Sequence, residues 1–164
     1  MLTQEEQRVV WEGWLGAEIR ANYFADLSTG YRWRQRVATW CSLFLSSGAF
    51  VTWVSGWVSQ HASWVPPVLA LLTAGLSGYL LVAANQQSAV DSADLHLRWS
   101  KLASAYRNLW DHMYDQDAAA RLAALEEQER DLSKSGTAFP YRARHARRME
   151  KWEDHVLRQH HLAA

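Results

Sequence analysis

The 164-residue chain holds seven histidines and a single cysteine, Cys41, the first places to look for metal or nucleophilic chemistry. Two ligands on one helix face must lie three or four residues apart. His96 and His112 stand 16 residues apart, too far for one site. Asp111, His112 and Asp115 cluster locally, but a solvated helix face produces the same pattern. His155, His160 and His161 fall in a polar tail. One cysteine permits no intrachain disulfide and no cysteine-based metal centre. Glycine-rich phosphate loop, nucleophile elbow and HExxH are missing from the sequence. These residues predict no enzyme, no cofactor and no metal.

Anion binding is the remaining chemistry. Arg142, Arg144, Arg147, Arg148 and Lys151, with Tyr141 and His145, form the densest basic patch. Such a patch suits anionic lipid headgroups, a nucleotide phosphate, or the acidic run from Glu126 to Asp131 on the preceding segment. Over the whole chain 17 Lys and Arg balance 17 Asp and Glu. That neutrality excludes a strongly basic nucleic-acid binder and an acidic disordered tail.

The charges are unevenly placed. None of the 34 lies between Val37 and Val90, so a mean hydropathy of -0.30 averages an oily block with two charged ones. A soluble core of this size rarely avoids charge for so long. Val37 to Val58 is uncharged for 22 residues, about 33 Å as a helix, against a hydrocarbon core of about 30 Å. Val65 to Ala84 gives a second uncharged stretch with Pro66 and Pro67 in its first turn, where a missing N–H costs least. The expected organisation is a cytoplasmic N-terminal helix over 1–36, transmembrane helices over 37–58 and 65–84, a short extracytoplasmic turn over 59–64, and a cytoplasmic helical region over 85–164. Arg32, Arg34 and Arg36 precede the first span and the turn carries no cation, which places both termini in the cytoplasm of a cell with this protein in its inner membrane. Trp33 and Trp40 bracket the start of the first span, and Trp57 and Trp64 bracket the turn, at headgroup level.

Inside the spans small residues recur every four positions: Gly48, Thr52 and Gly56 in the first, Ala70, Ala74 and Gly78 in the second. That spacing lets helix backbones approach closely in lipid. Ser42 and Ser46 extend the polar side of the first span. These faces either pack against each other within the hairpin or line a path in an oligomer, since two helices cannot enclose a pore. With no charge in either span, a proton relay, a voltage sensor or a pump is not expected.

The flanking segments read as helices. Thr3 ahead of Glu5 and Glu6 is a capped start, and Val10, Trp14, Ala17 and Ala21 form a stripe with Leu15 and Ile19 beside it. Leu27-Ser28-Thr29-Gly30 is a candidate break or kink. Leu95, Trp99, Leu102, Tyr106, Leu109 and Met113 are spaced alternately four and three, a helical stripe of five turns. It suits either the N-terminal helix of the same chain or a seam between subunits. Leu122, Leu125 and Leu132 continue the pattern, and with no Gly or Pro from 79 to 135 an unbroken helix out of the second span is expected. Ser133 to Pro140 reads as a turn and Tyr141 to His161 as a last helix.

Ala21-Asn22-Tyr23-Phe24, then Tyr31-Arg32-Trp33-Arg34-Gln35-Arg36 leading into an uncharged span, resembles the SLATT families, the two-transmembrane proteins associated with SMODS nucleotidyltransferases and SLOG proteins in bacterial conflict systems. The short turn and the long helix after the second span extend the likeness over most of the chain. The resemblance implies a membrane effector of anti-phage defence, set off by a nucleotide second messenger or a cytoplasmic protein, that permeabilises the membrane. The combined expectation is an all-α membrane protein: a two-helix transmembrane hairpin with long cytoplasmic helices, homo-oligomeric, its partners being lipids and the trigger and not nucleic acid. A membrane-anchored scaffold for a soluble partner and a constitutive small oligomeric ion channel are the alternatives.

Overall fold

The computed structural model describes residues 1–47, 65–82, 85–136 and 143–160, and among these it is helical throughout, without a strand. The helices are α1 (Gln4–Ser46), α2 (Val65–Val82), α3 (Asn85–Asp111), α4 (Ala118–Gly136) and α5 (Ala143–Gln159). They divide between two compact units, one of Met1–Leu27 with Asp91–Ala164 and one of Ser28–Val90.

In the first unit, α1 opens on a reciprocal cap. Glu6 N–H donates to Thr3 Oγ1 at 3.3 Å, while Thr3 N–H and Oγ1 donate to Glu6 Oε2 at 2.7 and 2.9 Å. Two orphan donors of the first turn are thereby satisfied, and those hydrogen bonds, backbone first, hold the Glu6 carboxyl below the ordinary carboxylate range. The Met1 ammonium donates to Asp115 O at 2.8 Å and Leu2 N–H to Met113 O at 3.0 Å. From there Val10, Ala17, Ala21, Phe24 and Leu27 are buried on one face of α1. On α3, Leu95, Trp99, Leu102, Tyr106 and Leu109 are all at most 5% exposed. The two stripes meet within the chain, and at Gly13 an added Cβ would stand 2.7 Å from Tyr106 Cζ. The second of the two partners open to the 95–113 stripe, a subunit seam, is thus not needed to cover it.

Three expectations are corrected. The segment Leu27-Ser28-Thr29-Gly30 does not interrupt α1, because Leu27 and Ser28 are buried at 4% and 7% exposure and packing outweighs the cost of one helical glycine. The long helix after the second span is broken: α3 stops at Asp111, turns follow over 112–117, and α4 starts at Ala118. No Gly or Pro causes this break. Asp111, Asp115 and Asp117 compete with the helical backbone for hydrogen bonds, and reversal lets Ala118, Leu122 and Leu125 bury their side chains. Third, Ser133–Gly136 belongs to α4, with Ser135 Oγ donating to Asp131 O at 3.2 Å, so the turn expected from Ser133 does not start there. The rest of that turn, 137–140, lies outside the described residues.

In the second unit, α2 falls where the second span was expected, within two residues of its end. Of the first span, 37–46 completes α1 and 48–58 lies outside the described residues, as do the extracytoplasmic turn 59–64 and residues 83–84. Among the described residues no helix is long and apolar enough to cross a membrane. The 18 residues of α2 amount to about 27 Å, against roughly 30 Å of hydrocarbon.

Candidate functional site

A mixed ionic and aromatic clasp joins α1, α3 and α4. Trp99 and Tyr106, two turns apart on the buried stripe of α3, bring an indole and a phenol to one side of the helix. Tyr106 Oη donates to Glu129 Oε2 at 3.0 Å. Glu129 Oε1 accepts from Arg20 Nη1 at 2.9 Å, and the same guanidinium lies 4.8 Å over the Trp99 ring. Burial first, then the Glu129 carboxylate, pushes the Tyr106 phenol well above its ordinary range. A neutral, hydrogen-bonded phenol is a donor here and not a base. The clasp is built to hold three helices in register.

A second cluster seats α5 on α1. His160 Nε2 lies 3.1 Å from Glu18 Oε2, and its ring meets Trp11 and Trp14 edge-on with centroids 5.6 and 5.1 Å apart. Trp110 of α3 stands 5.3 Å from Trp11, and the Arg107 guanidinium lies 5.9 Å over Trp14. Twelve residues back, Arg148 reaches Asp26 at 3.5 Å, and between these contacts Val156 is fully buried. The α5 helix therefore runs antiparallel to α1. Among the described residues no basic side chain of α5 forms an ion pair with the acidic run of α4: Glu127 is paired with Arg130, Asp131 with Lys134 and Glu129 with Arg20. Arg147 and Lys151 share a shallow groove with Glu150, Asp154, His155 and Arg158, so carboxylates stand one turn from the cations and weaken it as an anion site. Arg142 and the side chain of Arg144 lie outside the described residues.

In the second unit the arginine-rich turn is open to solvent. Arg32, Trp33, Arg34 and Arg36 are all exposed, Trp33 at 64%. Val37, Trp40, Leu43 and Phe44 are exposed beyond them. At about 100° per residue, Trp33, Val37, Trp40 and Phe44 share one narrow face. The covered stripe of this stretch is Gln35, Ala38, Ser42 and Leu45, which puts Ser42 on the inward side. On α2, Val68, Leu71, Leu72, Ala74 and Tyr79 are exposed, and a Cβ added at Gly75 or Gly78 would meet nothing within 4 Å. The small-residue face of Ala74 and Gly78 is thus open rather than packed. Gly48, Thr52, Gly56, Trp57 and Trp64, and the side chains of Ser46 and Ala70, lie outside the described residues.

Arg20 with Glu129 and Glu18 with His160 are among the polar contacts between helices, and the sequence does not pair them. Their partners are 109 and 142 residues away, and no local spacing signals such pairs. Trp99 and Tyr106 are legible as part of the α3 stripe, though only as core. The Asp111, His112 and Asp115 cluster sits in the turn, exposed, with His112 Nδ1 2.9 Å from Asn108 O. Among the described residues no group of three His, Cys, Asp or Glu could hold a metal. Compared with family models, curated proteins and solved structures, the chain matches none.

Proposed function

We propose that this chain is a membrane effector: the uncharged segment 37–84 inserts in the bilayer as a helical hairpin, several copies assemble through it, and a signal received by the helical bundle outside the bilayer opens a leak. The observation that carries the reading is the distribution of exposed apolar side chains. Trp33, Val37, Trp40, Leu43, Phe44, Val68, Leu71, Leu72 and Tyr79 are 39–75% exposed and all belong to the Ser28–Val90 unit. Among the described residues of the other unit, the exposed large hydrophobics are Met1, Leu97 and Tyr114. Full burial of a Leu, Phe or Val is worth about 1.5–3 kcal/mol, so six such groups left in water, with Trp33, Trp40 and Tyr79 beside them, form a large penalty, which lipid removes. The resemblance to the SLATT families supports the effector role and a nucleotide or protein trigger.

A specific observation also favours the scaffold reading. The bundle buries its own apolar stripes and leaves residues 28–90 as the surface for assembly of copies. A self-contained bundle on a membrane anchor would serve equally to dock a soluble partner. Reconstitution in dye-loaded vesicles separates the two. An effector gives an oligomeric mass in lipid and dye release, both lost in Gly78→Leu, whose side chain enters the open face of α2. A monomer in lipid with no release at any protein density rules out the effector and leaves the scaffold.

A further inference from the structure

We infer that the turn Tyr31–Arg36 with Trp33 and Trp40 is a headgroup collar that selects anionic phospholipid. This rests on the membrane reading above and adds the chemistry of the lipid. The Ser28–Val90 unit contains three formal charges, Arg32, Arg34 and Arg36, and not one Asp or Glu. All three arginines are exposed, and among the described residues none enters an ion pair. The Arg34 guanidinium lies 5.9 Å over the Tyr31 ring, a contact that orients it without neutralising it. The nearest carboxylate upstream, Asp26, is engaged by Arg148. Counter-charge for the collar therefore comes from outside the unit.

The surroundings of the collar say which counter-charge. Helical geometry puts Arg32 and Arg36 to one side of the Trp33–Val37–Trp40–Phe44 face and Arg34 to the other, each about 60–100° from it. A lipid phosphate layer meets all three cations while the face between them passes into acyl chains and the indoles stay at the boundary. Guanidinium groups bind phosphate oxygens in pairs, which ammonium groups do not. A nucleic acid would supply phosphates too, but it would leave Val37, Leu43 and Phe44 in water.

The test is flotation of the full chain, synthesised cell-free in the presence of vesicles of neutral phosphatidylcholine with or without phosphatidylglycerol. The expected preference for anionic vesicles is on the order of 100-fold in half-saturating lipid, about fivefold per arginine, shrinking as salt is raised. The triple variant R32Q/R34Q/R36Q should lose that preference and still float with neutral vesicles. The control R147Q/R158Q on α5 should keep it. Equal flotation of the wild type with both vesicles, retention of the preference in the triple variant, or its loss in the control overturns the collar while the membrane reading stands. Flotation with neither overturns both. Retention of added oligonucleotide instead of vesicles assigns the arginines to nucleic acid and also overturns the collar.

Discussion

Gly13 packs directly under the Tyr106 ring, and its role is set by that one contact. A methyl at this position would overlap the Tyr106 ring at 2.7–2.8 Å, and that ring is fully buried with its hydroxyl tied to Glu129. Alanine would gain up to about 1 kcal/mol of helix propensity but meets an overpacking cost of about 1–3 kcal/mol. Gly13→Ala is therefore expected to lower stability by about 1 kcal/mol in urea unfolding. Tyr106 makes a pH prediction. Its folded-state pKa is raised, so the native chain keeps the phenol proton at pH values where the unfolded chain has given it up. Stability contributed by the buried phenol is complete below about pH 10 and declines as pH rises past it. Tyr106→Phe should cost about 1 kcal/mol at neutral pH through the lost hydrogen bond and should flatten the alkaline decline, read as the midpoint of thermal unfolding against pH. Cores of this kind are visible in a sequence as spacing. The partners of their few polar atoms are not, since Arg20 and Glu129 meet across 109 residues.

At the level of elements, long-range packing decides where helices end. The stripe of α3 was legible because it repeats for five turns, and α2 because its apolar run lies between the polar stretches Ser59–Ser63 and Asn85–Gln87. The break at 112–117 was not, because it depends on α4 folding back onto α3: Arg121 Nη2 reaches Asn108 Oδ1 at 2.6 Å. The Leu27–Gly30 segment stayed helical for the opposite reason, burial of Leu27 and Ser28 within the candidate break itself. The α5 helix is held by Val156 and two polar contacts, so Val156→Ala should cost about 2 kcal/mol and raise amide exchange over 143–160 before the rest of the bundle. Exchange that rises uniformly across all helices would contradict a separately seated α5. At the other end, Thr3→Ala removes the reciprocal cap and should cost about 1 kcal/mol, with exchange increasing first in the opening turn of α1.

For the whole molecule, what distinguishes the two units is the fate of their apolar side chains. Among the described residues, one buries them among α1, α3, α4 and α5; the other leaves its large ones facing outward over a stretch that holds no acidic residue. The charge gap that separates these materials is plain in the sequence. How the small-residue positions are used is not, because a face that packs within the hairpin and a face left open have the same spacing. Cys41 offers the most direct test of bilayer insertion. It is the chain's one cysteine, five residues beyond Arg36, and its side chain is exposed. In reconstituted vesicles a membrane-impermeant maleimide should leave Cys41 unmodified from either side and label it once detergent dissolves the bilayer. Labelling at the same rate with the bilayer intact would contradict an inserted hairpin.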